Sequence, residues 1–211
     1  MNKPIKVLLI DDHAIVRAGF RQLLATSDTI DVIAEASRGE IALQLYWDIQ
    51  PDVTVLDLSM PGIGGLETLR RLISRDANAK ILVFSVHDEA VYVQRALNAG
   101  ARGYISKSSA PDLLVNAIKT LATGEIFIEE GLRKTSAATS TNDTQTALER
   151  LSPREFDVFL LLAKGLTAHQ IADQLCMSYK TAANYGTQIK AKLNVATTAE
   201  LAHIAIALKD I

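Results

Sequence analysis

Residues 7–12 read VLLIDD: four apolar residues without a polar break, then two adjacent carboxylates. A strand that is apolar at every position has no solvent side. That is the pattern of a parallel sheet covered on both faces, not of a half-exposed antiparallel one. Acidic residues at its carboxyl end are placed where open parallel sheets bind their ligands.

The same pattern recurs along the first half of the chain. Strand-like runs lie at Ile5–Ile10, Val32–Ala36, Val53–Leu56, Ile81–Phe84 and Gly103–Ile105. Between them lie segments of helical spacing, marked by Ile15, Ala18 and Leu23; Ile41, Leu45 and Trp47; Leu66, Leu69 and Leu72; Val93 and Leu97; Leu114, Ile118 and Leu121. Five such βα units predict an α/β doubly wound, five-stranded parallel sheet over residues 1–124, with Gly124 as the C-cap of the last helix. Residues 129–150, EEGLRKTSAATSTNDTQTALER, are rich in Ser, Thr and Ala and keep no apolar period. We assign 125–150 to a mobile linker.

From Leu151 the pattern is purely helical. Ser152-Pro153-Arg154-Glu155, Thr167-Ala168-His169-Gln170 and Thr197-Thr198-Ala199-Glu200 each have the spacing of a capping box, and Ser178 is a candidate N-cap. They predict an all-α domain over residues 151–211, with four helices at 153–164, 168–175, 179–193 and 198–208. The second and third are separated by a turn around Cys176-Met177-Ser178, the spacing of a helix-turn-helix. The third helix has an inward stripe of Ala182, Tyr185, Ile189 and Leu193, which leaves Lys180, Ala183, Asn184, Thr187, Gln188 and Lys190 outward or on the flanks.

Composition narrows the field without deciding it. The net charge is -2 over 211 residues, and residues 151–211 carry six Lys and Arg against five Asp and Glu, a faintly basic domain. One cysteine excludes an internal disulfide and suits a reducing cytoplasm. The N-terminus lacks the apolar stretch of a signal peptide, and no window reaches the length of a membrane span. We expect a cytoplasmic protein with no membrane partner.

The chemistry gathers at the strand ends. Asp11 and Asp12 follow the first strand, Asp57 the third, Ser85 the fourth and Lys107 the fifth. Three carboxylates in one cleft repel one another and call for a cation; oxygen-only ligands suit Mg²⁺. A carboxylate beside such an ion can act as nucleophile toward a phosphoryl group. A hydroxyl and an ammonium can bind the phosphoryl oxygens.

LLIDDH, VLDLSMPG, VFSVHDE and GYISK resemble the sequence blocks of response-regulator receiver domains, in order along about 120 residues. The resemblance implies a flavodoxin-like fold with Asp57 as phosphoacceptor. Mg²⁺ would be held by Asp12, Asp57 and the backbone carbonyl of Ser59, with Asp11 acting through water. Ser85 and Lys107 would bind the phosphoryl group, and Tyr104 would be an aromatic switch that turns inward on activation. Ser59 and His87 would tune hydrolysis of the phosphoaspartate. Ser108 stands where many receivers have proline.

The segment from LSPRE to AEL resembles LuxR-type DNA-binding domains, and the two halves together resemble the NarL/FixJ family. Helix 179–193 would then enter the major groove. Ala183, Asn184 and Thr187 would face base edges, with Lys180, Thr181, Lys190 and Lys192 on phosphates and Gln188 alongside. Many relatives carry Lys or Arg where this chain has Ala183 and Gly186, so dimerisation would be needed for useful affinity. The implied partners are a sensor histidine kinase, double-stranded DNA and a second copy of the chain when active. The implied chemistry is self-phosphorylation and phosphoaspartate hydrolysis, and no other enzyme constellation is visible. Two rivals stand beside this reading: a DNA-binding regulator indifferent to phosphorylation, and a receiver whose output binds protein or RNA.

Overall fold

A computed structural model describes residues 3–109, 111–132, 147–148 and 150–209, the side chains of 207–209 excepted. Most of the segment assigned to the linker, 133–146 and 149, lies outside the described residues. The first half is β1 (Ile5–Ile10), α1 (Ala14–Leu24), β2 (Ile30–Ala36), α2 (Gly39–Ile49), β3 (Val53–Leu56), α3 (Gly65–Arg75), β4 (Ile81–Ser85), α4 (Ala90–Asn98), β5 (Gly103–Ser106), α5 (Pro111–Ala122) and β6 (Phe127–Ile128). The sheet is parallel throughout, in the order β2-β1-β3-β4-β5-β6.

Alternation along each strand divides the core into two layers. Val7, Leu9, Val55, Leu82, Phe84 and Ile105 face one way, against Leu24 of α1 and Leu114, Ile118 and Leu121 of α5. Leu8, Ile10, Leu56, Val83 and Tyr104 face the other, against α2, α3 and α4. Both faces are covered, which explains the unbroken apolar runs.

Three expectations are corrected here. The sheet has six strands, because the chain turns at Gly124 (φ +93°) and residues 127–128 add to the β5 edge within the segment assigned to the linker. Two residues are too few to show a period of two. In α1 the buried stripe is Leu24 with Phe20 and Leu23 beside it, and Ile15 projects into solvent at 89% exposure. In α2 the inward face is Ala42 and Tyr46, four residues apart; Ile41 and Trp47 sit one residue off that stripe and are exposed.

The second half is α6 (Pro153–Ala163), α7 (Ala168–Gln174), α8 (Tyr179–Lys192) and α9 (Thr198–Lys209). The first two capping boxes form in full: the Ser152 and Thr167 side chains accept from the N–H groups of Glu155 and Gln170, whose side chains return to the cap N–H groups. Ser178 accepts from Thr181 N at 3.1 Å. At the start of α9, Thr197 Oγ1 accepts from Glu200 N, while the Glu200 carboxylate reaches back to Ala196 N.

The helical domain packs on α3 and α4 of the sheet domain. One buried apolar cluster runs across the junction, joining Val91 and Tyr92 to Leu148, Leu151, Phe156 and Phe159. The rings of Tyr92 and Phe156 meet edge to face at 5.2 Å.

Candidate functional site

Asp11 and Asp57 end neighbouring strands, locked in register by the bond from Asp57 N to Ile10 O at 2.9 Å. Each is 2% exposed. Lys107, in the loop after β5, bridges them: its Nζ donates to Asp11 Oδ2 at 2.5 Å and to Asp57 Oδ2 at 2.7 Å. Burial pushes the Asp57 carboxyl above its ordinary range, and Lys107 only partly offsets this. Burial alone would lower the Lys107 ammonium, but the two carboxylates outweigh it and raise it.

The remaining oxygens are held in place from the backbone. Asp57 Oδ1 accepts from Ser59 N at 3.1 Å and Asp11 Oδ1 from His13 N at 2.8 Å. Asp12 Oδ1 is enclosed without a hydrogen bond, although His13 Nδ1 approaches to 2.8 Å. Ligand atoms of Asp11, Asp12, His13 and Asp57 all lie within 4.8 Å of one another. Oxygen-rich donors, one of them unsatisfied, form an acidic pocket that fits a hard divalent cation. Gly65 admits the start of α3 directly behind Asp57: a Cβ there would lie 2.2 Å from the Asp57 carbonyl oxygen.

The other expected residues gather around this core with different roles. Ser85 is fully buried, and its hydroxyl accepts from His87 N at 3.2 Å. Ser59 Oγ and His87 Nε2 are 2.9 Å apart, so the two residues expected to tune hydrolysis are bonded to each other. Tyr104 is already turned inward: it is fully buried, and its hydroxyl donates to the His87 carbonyl at 2.6 Å.

The sequence reading missed Tyr92, Arg95 and Asp157. The His87 imidazole stacks flat on Tyr92 at 3.9 Å, and Tyr92 meets Phe156, so ring contacts run from beside the acidic site to the helical domain. A cleft of about 220 Å³ lies along this line, with Asp12, Ser59, His87, Tyr92, Asp157 and Gln174 among its walls. Only the spacing of Tyr92 and Arg95, three residues apart on α4, hinted at a shared face.

On α8, Lys180, Thr181, Asn184, Thr187 and Gln188 are exposed, while Ala183 and Lys190 are half-buried. The Thr187 hydroxyl donates to the Ala183 carbonyl at 3.2 Å. Two residues depart from expectation. Lys192 is ion-paired with the buried Glu155 of the first capping box at 2.7 Å, so its ammonium is already engaged. Gly186 is buried against Leu162, and Tyr185 is only half-buried in the place it was expected to fill.

A parallel α/β domain with paired aspartates and a lysine at its strand ends, followed by a helix-turn-helix, defines the class of receiver-type transcription regulators. Residues 7–119 match the response regulator receiver domain, and residues 149–205 match the bacterial regulatory proteins of the luxR family. The chain belongs to the two-component response regulators of the NarL/FixJ type, with a receiver and a LuxR-type DNA-binding domain. It is 41% identical to the transcriptional activator protein ExaE of Pseudomonas putida, over 95% of each chain. It is 38% identical to the response regulator UvrY of Escherichia coli, over 96% of this chain and 94% of that one. Among solved structures it resembles RcsB of Salmonella enterica serovar Typhimurium bound to a promoter in the presence of a beryllofluoride phosphomimetic. That likeness has a TM-score of 0.69 and 26% identity, over 99% of this chain and 100% of the other. No helix among the described residues is long and apolar enough to cross a membrane.

Proposed function

We propose that Asp57 accepts a phosphoryl group from a sensor histidine kinase in the cytoplasm, and that its occupancy strengthens binding of a homodimer to duplex DNA and so changes transcription. The observation that carries this reading is the buried contact of Lys107 with both Asp57 and Asp11 at a strand-end cleft. An Asp57 carboxylate oxygen attacks the phosphorus; the P–N bond to the donor imidazole breaks and an acyl phosphate forms. Lys107 then exchanges its contact with Asp57 Oδ2 for the phosphoryl oxygens, and the Ser85 hydroxyl turns to donate to them. Asp11, Asp12, Asp57 and the Ser59 carbonyl would hold Mg²⁺, which when bound neutralises charge on the phosphoryl oxygens. The chemistry ends with hydrolysis of the acyl phosphate, and the protein is otherwise a switch rather than an enzyme.

Exposure of the α8 face in the docked arrangement favours dimerisation over simple unmasking as the route to DNA binding. With Lys192 engaged, Lys180, Thr181 and Lys190 are left as the phosphate contacts of α8. Two copies double that contact set.

The test is duplex binding by fluorescence anisotropy on a promoter-fragment pool, with and without Mg²⁺ plus beryllofluoride, for wild type and Asp57→Ala. Tighter binding with the mimic in wild type alone is the expected result. Binding indifferent to both mimic and mutation would support a constitutive regulator, and no duplex binding in any state would move the output to protein or RNA.

A further inference from the structure

Glu129 lies where the chain leaves the sheet toward the DNA-binding domain, directly after β6. Its backbone N–H donates to the Tyr104 carbonyl at 3.1 Å and extends the β5–β6 ladder by one rung. Its carboxylate then turns back onto the loop that carries Lys107. Oε2 accepts from Ser106 N at 2.9 Å, and Oε1 accepts from the Ser109 hydroxyl at 2.6 Å. Ser106 and Ser109 flank Lys107 on either side. Inside the loop, the Ser106 and Ser108 hydroxyls lie 2.8 Å apart, Ser109 N donates to Ser106 O at 3.1 Å, and Lys107 N donates to Ser85 O at 2.8 Å.

A plain edge strand needs only backbone rungs. Here a side-chain carboxylate takes the rung at Ser106 and adds a second bond to Ser109. Bonds to an ionised acceptor are roughly twice as strong as neutral ones. The same residue fixes the direction of the outgoing chain, since Leu132 N donates to the Glu129 carbonyl at 3.0 Å and Leu132 is buried in the cluster shared with the helical domain. Among the described residues 125–132, a pull on the Lys107 loop is therefore met by the Glu129 side chain.

We propose that Glu129 is a positioning residue that couples phosphoryl occupancy at Asp57 to the interdomain segment, by holding both sides of the Lys107 loop. This rests on Asp57 being the phosphoacceptor. When Lys107 moves onto a phosphoryl group, Ser106 and Ser109 shift with it, and the carboxylate carries that shift into residues 127–132. Coupling is reciprocal, so the geometry of this segment also biases how readily Lys107 reaches the phosphoryl oxygens.

The experiment uses the full chain with Mg²⁺ and beryllofluoride. Occupancy at Asp57 is read by ¹⁹F NMR of the bound mimic, and the segment by hydrogen exchange of residues 127–132 by mass spectrometry. Wild type, Glu129→Gln and Ser109→Ala are compared at equal occupancy, with melting curves to confirm folding. In wild type the mimic should change exchange in 127–132 by about fivefold or more, the low end of typical coupling between sites. In Glu129→Gln, whose amide oxygen can still accept from Ser106 N but without the charge, and in Ser109→Ala, that mimic-dependent change should in each case fall to about half, with bound ¹⁹F signal retained in all three. A residue that only closes the sheet edge would alter basal exchange but leave the mimic-dependent difference intact, and that result overturns the proposal. Bound mimic in wild type with no change in 127–132 overturns it equally while leaving the phosphoacceptor reading in place. Absence of any bound ¹⁹F signal in wild type, abolished Asp57 chemistry included, sinks both together.

Discussion

Arg95 of the receiver places its guanidinium 4.3 Å from the ring centroid of Phe156 in the DNA-binding domain. It also donates from Nη1 to the Leu148 carbonyl at 2.8 Å and from Nη2 to the Leu151 carbonyl at 2.6 Å. One α4 side chain therefore holds the chain entering the second domain and the first aromatic residue of that domain. Removing it takes away a cation–π contact and two charge-assisted bonds, worth together about 1–3 kcal/mol in a partly buried setting. Arg95→Ala should shift the docked arrangement toward separated domains by roughly five- to 150-fold on that basis. Energy transfer between labels on the two domains checks this. Unchanged transfer efficiency would mean that the apolar cluster alone holds the domains together.

Asp157 makes the same junction sensitive to protons. Its carboxylate lines the interdomain cleft beside Gly64, whose Cβ, if it had one, would lie 2.7 Å from Oδ2. Oδ2 has no hydrogen bond and sits 3.8 Å from Arg154 Nη1. Burial pushes the carboxyl up to about 7; Arg154 and Arg95 pull it back in part, and Glu67 adds to the rise. The docked state thus binds this proton more tightly than a state in which Asp157 faces water. Docking is strongest in acid, weakens as pH rises from the ordinary carboxylate range toward 7, and levels off above it. The docking equilibrium should fall by at most about tenfold per pH unit in that window. Asp157→Asn should flatten the dependence, and the same energy-transfer measurement between pH 5 and 8.5 reads both variants.

Much of this was legible in the sequence because the signals were local. The helix starts at Ser152, Thr167, Ser178 and Thr197 come from caps that need only three or four residues. Asp11, Asp57 and Lys107 were legible because each follows a short, mostly apolar strand, and parallel topology then forces the strand ends together. What escaped depends on the other domain or on single residues. Tyr92 and Arg95 lie beside the Val93 stripe of α4 and read as a solvated flank until the second domain covers them. β6 is too short to show alternation. Nothing in the sequence distinguishes Lys192, bound to a carboxylate inside its own domain, from Lys180, which faces solvent.

Lys192 therefore belongs to folding before it belongs to DNA. Burial would raise the Glu155 carboxyl, but Lys192 and the Ser152 bonds outweigh it and hold it below the usual range. The pair's contribution is complete above the ordinary glutamate range and is lost as pH falls below it. With the Lys192 side chain 43% exposed, its removal should cost about 1 kcal/mol of domain stability. Lys192→Met should lower the melting temperature of the helical domain, while the slope of duplex affinity against salt stays unchanged. Lys180→Met and Lys190→Met should each reduce that slope by roughly one instead. An equal loss of slope in Lys192→Met would restore it to the DNA contacts.

Gly186 tests the register of α8 directly. A glycine inside a helix costs about 1 kcal/mol relative to alanine, through backbone entropy in the unfolded chain. If Gly186 faced DNA, a methyl would alter base or phosphate contacts. It is buried instead, and the nearest atom to an added Cβ is Leu162 Cδ1 at 3.6 Å, an ordinary packing distance. Gly186→Ala should therefore stabilise the helical domain by about 0.5–1 kcal/mol, raising its melting temperature by a few degrees. Duplex affinity with the phosphoryl mimic should stay within about twofold, since no outward side chain changes. Calorimetry and anisotropy on the full chain give both numbers. A stabilised domain with much weaker DNA binding would rotate the recognition face toward Gly186 and away from Asn184.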